Sequence, residues 1–215
     1  TTRNFERMTA LKKAGFPVPK IIHSETDYLR MEYIHGLDMR TYLIHNNNEA
    51  LLSFLLQILK SFSQTTTQKD YTEIYHKKLS WIDSIEDLPF TKKELINKLP
   101  KILPQSIYHG DMTLENIINT NSQFCFIDPV TIEYDSYIFD IAKLRQDLEC
   151  KWFLRNCNTK LDVKLQNIQE RLEMEFTDAF DDNLLILMLL RVLAHCKKND
   201  SDYLFLIGEI KRLWK

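Results

Sequence analysis

The chain has 215 residues, 44% of them hydrophobic, enough to bury one sizeable core or two unequal ones. Its 28 basic and 30 acidic residues nearly balance, with no basic run or aromatic–basic stripe, so nucleic acid is not an expected partner. The longest apolar run, Leu184 to Leu190, stops at Arg191, far short of the ~20 residues that a bilayer crossing requires.

Taken in order, residues 4 to 13 read as a short helix, with Phe5, Met8 and Leu11 at helical spacing and Gly15 as its stop. Phe16-Pro17-Val18-Pro19 must run extended, because each proline restricts the residue before it. Two strands follow, Lys20 to His23 and Tyr28 to Ile34, joined by the polar turn Ser24-Glu25-Thr26-Asp27. Asp38 caps a short helix to His45, which Asn46-Asn47-Asn48 breaks. Glu49 to Gln64 is apolar over most of its circumference and reads as a buried central helix. Residues 65 to 105, polar and punctuated by Pro89, Pro100 and Pro104, read as an insertion of short helices whose Tyr71, Tyr75, Trp81 and Phe90 need a packing partner.

At Ile107 the character changes. A short apolar approach leads into His109-Gly110-Asp111, then a strand at Asn116-Ile117-Ile118, a turn at Asn119 to Gln123, and a second strand, Phe124 to Ile127, ending at Asp128-Pro129. This is a β-hairpin with a carboxylate at each end, set in helical surroundings. Helices resume over roughly 137 to 155, 162 to 179, 182 to 198 and 201 to 214.

The four cysteines, Cys125, Cys150, Cys157 and Cys196, show no paired spacing typical of zinc sites or disulfide scaffolds. A cluster of Cys150, Cys157 and His195-Cys196 lacks close ligand pairs, so the expectation is reduced thiols in a cytoplasmic protein. The opening Thr-Thr-Arg-Asn-Phe-Glu has no apolar core like that of a signal peptide.

The chemistry concentrates in the hairpin. The tight loop from Asp111 to Asn116 lets both side chains face one cavity, and the second strand returns Asp128 beside them. Two carboxylates and an amide oxygen are hard donors of the kind Mg²⁺ accepts when phosphates complete its octahedron. One carboxylate can hold metal while the other positions and deprotonates an attacking hydroxyl. Taken singly, each residue has an ordinary explanation as a turn cap or a packed side chain; the spacing argues otherwise.

His109-Gly110-Asp111-Met-Thr-Leu-Glu-Asn116, followed twelve residues later by Asp128, resembles the catalytic loop and metal-binding strand of the kinase-like superfamily, specifically its aminoglycoside phosphotransferase and choline kinase group. The resemblance implies an α+β, protein-kinase-like fold. It also implies an ATP- and Mg²⁺-dependent enzyme that phosphorylates a hydroxyl on a small molecule. Asp111 is then the catalytic base, Asn116 and Asp128 the Mg²⁺ ligands, and His109 a structural support of the loop. Met31-Glu32-Tyr33-Ile34 resembles the hinge between kinase lobes, with the Glu32 carbonyl and Ile34 amide reading adenine above a floor of Ile118 and Ile127. The alternative is an ordinary edge strand. Asp140, in Tyr137-Ile-Phe-Asp-Ile-Ala-Lys-Leu144, resembles the buried carboxylate that accepts from the catalytic-loop backbone. Glu6 reads equally as the glutamate that pairs with a phosphate-holding lysine or as part of a solvated helix face.

The division so implied is a partial N-terminal lobe over 1–35 with its hinge at 31–35, and a helical lobe over 36–215. The latter contains the catalytic loop 107–118, the metal strand 124–128 and the insertion 65–105. None of the four glycines, Gly15, Gly36, Gly110 and Gly208, lies in a phosphate-binding loop, and no strand lysine partners Glu6. The expectation is that these parts lie upstream or come from another chain; a nucleotide-binding pseudokinase is the alternative, and an all-helical interaction module ranks last. Thr113 and Leu114-Glu115 depart from the group's pattern, which affects acceptor geometry rather than the metal ligands, and Pro129-Val130 after Asp128 argues against a phosphorylation-controlled activation loop. The acceptor is expected between the catalytic loop, the insertion and the C-terminal helices, where Glu133, Asp135, Asp147 and Glu149 would suit a cation; a solvated helix face explains the last two equally well.

Overall fold

The computed structural model describes residues 2–25, 28–121 and 123–215. Helix α1 (Thr2–Lys13) buries Met8 and Leu11, ends at Gly15 with φ +83°, and passes into the extended proline segment. Strands β1 (Ile21–Ser24) and β2 (Leu29–Met31) form the expected antiparallel hairpin, with an irregularity between Ile21 and His23. The centre of its turn, Thr26–Asp27, lies outside the described residues. The hairpin is tied to the rest of the chain from below, because the Phe126 amide donates to the Pro17 carbonyl at 2.7 Å.

Strand β3 (Leu37–Asp38) leads into α2 (Met39–His45), where the Asp38 carboxylate accepts from the Thr41 amide at 2.8 Å and caps the helix. Helix α3 (Glu49–Gln64) is the apolar rod read from the sequence. Leu51, Leu52, Leu55, Leu59 and Phe62 are each at most 2% exposed, and its half-buried Phe54 packs on Phe124 and Phe126. The segment that follows corrects the sequence reading. It is not only short helices: β4 (Thr67–Asp70) and β5 (Ile102–Gln105) close an antiparallel ladder from Thr67–Gln105 to Asp70–Ile102. The ladder brackets α4 (Thr72–Lys78) and α5 (Lys92–Lys98), the latter with a capping box between Thr91 and Glu94. Tyr71 and Tyr75 are fully buried, and Tyr71 packs edge-on to Phe139, so the aromatic residues of this segment fill the core.

The second hairpin is β6 (Ile117–Asn119) and β7 (Phe124–Phe126), and β3 pairs on its outer edge to give the order β3-β6-β7. Gly36 makes that crossing possible, since a Cβ there would lie 2.3 Å from the Asn119 carbonyl oxygen. Helix α6 (Tyr137–Leu148) is capped by the Ser136 hydroxyl and is buried along almost its whole length, including Asp140, Lys143, Arg145, Gln146 and Asp147. It stops earlier than expected, and Lys151 turns the chain with φ +58°. Helices α7 (Asp162–Glu175), α8 (Asp182–Leu193) and α9 (Ser201–Leu213) complete the chain. Leu184 to Leu190 of α8 are each no more than 1% exposed, which explains the long apolar run: that helix is enclosed between α6 and α9. Among the described residues, no helix is long and apolar enough to cross a membrane.

Candidate active site

The loop 106–113 is pinned on every side. The Val130 amide donates to the His109 carbonyl at 3.0 Å, and Tyr108 Oη donates to the Ile132 carbonyl at 3.0 Å. Gly110 adopts φ +90°, and a Cβ there would sit 2.2 Å from the Val130 carbonyl oxygen, so glycine is demanded both by conformation and by space. His109 is 1% exposed. Burial pushes its pKa down to about 4, so the ring is neutral near pH 7. Its Nδ1 accepts from the Asp111 amide at 3.3 Å, which assigns the proton to Nε2, the donor to the Ile127 carbonyl at 3.1 Å. One imidazole thus joins the loop to the strand that ends at Asp128.

Behind the loop stands α6, which presents Asp140, Lys143 and Asp147 at helical spacings i, i+3 and i+7 on one face. Asp140 accepts from the backbone amides of His109 at 2.5 Å and Gly110 at 2.8 Å. Asp147 accepts from the Leu114 amide at 2.6 Å. Complete burial pushes both carboxyls up to about 7, against the opposing pull of those amides. Lys143 Nζ lies 3.2 Å from Asp111 Oδ1 and 3.2 Å from Gln146 Oε1, with 8% of its side chain exposed against 33% for Asp111. Desolvation lowers the Lys143 pKa, and the Asp111 charge opposes that shift. From α8, Arg191 donates to the Gly110 carbonyl at 3.2 Å. From α1, the Arg7 guanidinium lies 3.6 Å from the centre of the Tyr108 ring.

On the open side, Asn116 Nδ2 donates to the Asp111 backbone carbonyl at 2.8 Å and to its Oδ2 at 3.1 Å. That directs the Asn116 amide oxygen away from Asp111. The Ile127 amide donates to the Asn116 carbonyl at 2.9 Å, which sets Asp128 next in the chain. Asp128 is exposed and held at φ +53°, a conformation that non-glycine residues seldom adopt and that is common at functional sites. The donor set is therefore one exposed carboxylate and one amide oxygen beside Asp111, hard oxygens that fit Mg²⁺. Among the described residues, no group of three or more His, Cys, Asp or Glu side chains is arranged to hold a metal, and the four cysteines are free thiols.

The remaining sequence-derived residues fall as follows. Met31 ends β2, and the Glu32 amide donates to the Lys20 carbonyl at 2.9 Å, so segment 31–36 departs from the hairpin there. It reaches the second hairpin at Gly36, whose added Cβ would lie 2.7 Å from Ile118 Cγ2. Ile34, Ile118 and Ile127 are each half-buried, whereas Tyr33 is 80% exposed. Glu6 is exposed and has no ion-pair partner among the described residues. The acidic wall considered for a cationic acceptor is not present. Glu133 pairs with Lys77 and Lys78, and Asp135 with Lys69, Tyr71 and Gln105. Asp147 faces the Leu114 amide, and Glu149 is paired to Arg145 and Arg212. Sequence reasoning missed Lys143, Arg191 and Arg7 as parts of the site; the i, i+3, i+7 spacing of Asp140, Lys143 and Asp147 along one helix was the available signal for the first.

Residues 2–172 match the family described as the phosphotransferase enzyme family, APH, and the chain belongs to it. Among solved structures it is similar to a choline/ethanolamine kinase family protein from Mesorhizobium loti, with a TM-score of 0.59 and 16% identity over 99% of this chain and 78% of that one. Two crystal forms of a glucosamine kinase give TM-scores of 0.55 and 0.52 at 12% and 11% identity, over 97% of this chain and 66% and 64% of theirs. At such identities the likeness defines the fold, which is protein-kinase-like. No curated protein matches the sequence significantly.

Proposed function

We propose that the chain is an ATP- and Mg²⁺-dependent phosphotransferase that moves the γ-phosphate to a hydroxyl of a small molecule. The observation that carries this reading is the convergence of Asp111 and Asn116, with Asp128 brought in by the Ile127–Asn116 bond and held at φ +53°. Asp111 orients the acceptor hydroxyl and takes its proton as the oxygen bonds to the γ-phosphorus and the bond to the β-phosphate oxygen breaks, releasing ADP. Asn116 Oδ1 and the Asp128 carboxylate would hold Mg²⁺, which when bound neutralises phosphate charge. Lys143 fixes the Asp111 carboxylate, and Asp140 holds the loop that carries it. Met31, Glu32 and Ile34 line the adenine side, with Ile118 and Ile127 as its floor, and the partial lobe 1–35 and helical lobe 36–215 meet there. The four free thiols fit a reducing compartment, and a cytoplasmic location belongs to the same proposal.

A nucleotide-binding protein without turnover is the second reading, favoured by Glu6, which is exposed and has no ion-pair partner among the described residues. The test is thermal stability with ATP, with and without Mg²⁺, beside Asp128→Ala. A ligand at a hundredfold excess over Kd adds about 2.7 kcal/mol. A Mg²⁺-dependent shift lost in the variant is expected, and no shift in either protein would reject the nucleotide site. ADP formation on addition of an acceptor then separates the enzyme from the silent binder.

A further inference from the structure

A cavity of about 190 Å³ lies between the end of α4, the loop after Asp128 and α8. Its walls include Lys78, Trp81, Ile132, Tyr134, Arg191 and His195. It adjoins the catalytic loop, because the same Arg191 donates to the carbonyl of Gly110, the residue before Asp111.

The chemistry of the walls is specific in three respects. No carboxylate lines the cavity. The charge there is positive: Arg191 has no ion-pair partner among the described residues, and Lys77 and Lys78 share the single carboxylate of Glu133 at 2.8 and 2.6 Å. Finally, Tyr134 is 3% exposed, and its buried hydroxyl has no hydrogen-bond partner among the described residues. A buried hydroxyl without a partner is costly, and a polar ligand would satisfy it. Beside it, the half-buried Trp81 ring is held by its Nε1–H donating to the Lys78 carbonyl at 2.9 Å, and presents an apolar surface for a sugar's C–H face.

From this composition we infer that the cavity receives the acceptor, and that the acceptor is an anionic polyol, a hydroxylated compound bearing a carboxylate or a phosphate. The inference rests on the phosphotransfer reading of Asp111 and adds the substrate class to it. A cationic acceptor would enter against Arg191 and Lys78 and find only the Glu133 carboxylate, already held by Lys77 and Lys78, whereas an anion pairs with the cations and presents a hydroxyl towards the Gly110–Asp111 turn.

The experiment compares four compounds on one carbon skeleton: glucuronate, glucose 6-phosphate, glucose and glucosamine. Each is titrated calorimetrically into the full chain and assayed for ADP formation with ATP and Mg²⁺, in the native sequence, Lys78→Glu and Trp81→Ala. At least one anion is expected to bind tenfold or more tighter than glucose, with glucosamine weakest, and each variant is expected to weaken the anion at least tenfold. Preference for glucosamine, or binding of none of the four, overturns the inference, as does anion affinity untouched by both variants. Anion binding without ADP formation, in a protein that shows the ATP–Mg²⁺ thermal shift, overturns the acceptor assignment. Anion binding in a protein without that shift refutes instead the phosphotransfer reading on which the inference stands.

Discussion

Replacing Lys143 by methionine should separate activity from stability. The ammonium lies 3.2 Å from Asp111 Oδ1, and at an effective dielectric of ~20 that attraction is about 5 kcal/mol. Against it stands the cost of holding the ammonium out of water with only 8% of its side chain exposed, which is also several kcal/mol. Asp111 keeps 33% of its side chain in contact with solvent, and the buried Asp147, which the lysine also attracts, keeps its bond from the Leu114 amide, so removing the lysine leaves both carboxyls with other support. The two contributions nearly cancel, and methionine fills a similar volume. The net change in stability is expected within about 1 kcal/mol, or roughly 2–4 °C in Tm for a chain of this size. With Asp111 in its proposed role as base, turnover depends instead on where its carboxylate points, and a displacement of about 1 Å costs on the order of 10²-fold. Acceptor-dependent ADP release by a coupled assay, beside a thermal melt of the same preparation, reads both quantities. Turnover within threefold of the native protein, or a fall in Tm beyond about 10 °C, would refute the argument that Lys143 serves the carboxylate rather than the fold.

Other perturbations have equally direct readouts. Gly110→Ala forces a Cβ to within 2.2 Å of the Val130 carbonyl at φ +90° and should cost at least about 3 kcal/mol in urea unfolding. His109→Gln should show a destabilisation at pH 7 that shrinks on acidification. The native ring, with its pKa lowered to about 4, stays neutral while the unfolded chain takes a proton below about 6.5, so the native protein alone loses this share of stability as pH falls between those values. The gap should narrow by up to about 3 kcal/mol between pH 7 and pH 4, as measured by denaturation at each pH. Thiol titration of the native protein should modify the half-buried Cys157 and Cys196 before Cys125 and Cys150, which are buried, and whose thiols burial pushes up, that of Cys125 to about 11.

The elements that could be read from the sequence were those whose signal is local. Helix α3 announces itself by its apolar circumference, α2 by Asp38 at its start, and the second hairpin by two short apolar runs around a polar turn. The ladder of β4 and β5 could not be read that way. Thr67-Gln-Lys-Asp carries no apolar alternation, and its partner lies more than thirty residues away and contains Pro104. The site divides similarly. His109, Asp111, Asn116 and Asp128 stand within twenty residues, and their spacing carries information. Lys143, Arg191 and Arg7 reach the same loop from three separate helices, and a charge on a helix looks alike in sequence whether it faces water or a buried carboxylate. Asp147 and Glu149 show the converse: their density suggested an acidic surface, but Asp147 is taken by the Leu114 amide, far away in the sequence, and Glu149 by Arg145 one helical turn back and by Arg212.

The three contacts from α6 to the loop change what kind of object that loop is. Backbone groups at His109, Gly110 and Leu114 end on carboxylates of a helix that is itself enclosed by α8, so the loop inherits the rigidity of the core although it has little regular structure. The end of the site proposed to accept a proton is consequently assembled by folding alone. On the proposed nucleotide-binding role, movement of the β1–β2 hairpin about segment 31–36 would alter how the nucleotide is presented while leaving Asp111 in place. Opening and closing would then govern which molecules meet, and the geometry at which they react would stay constant.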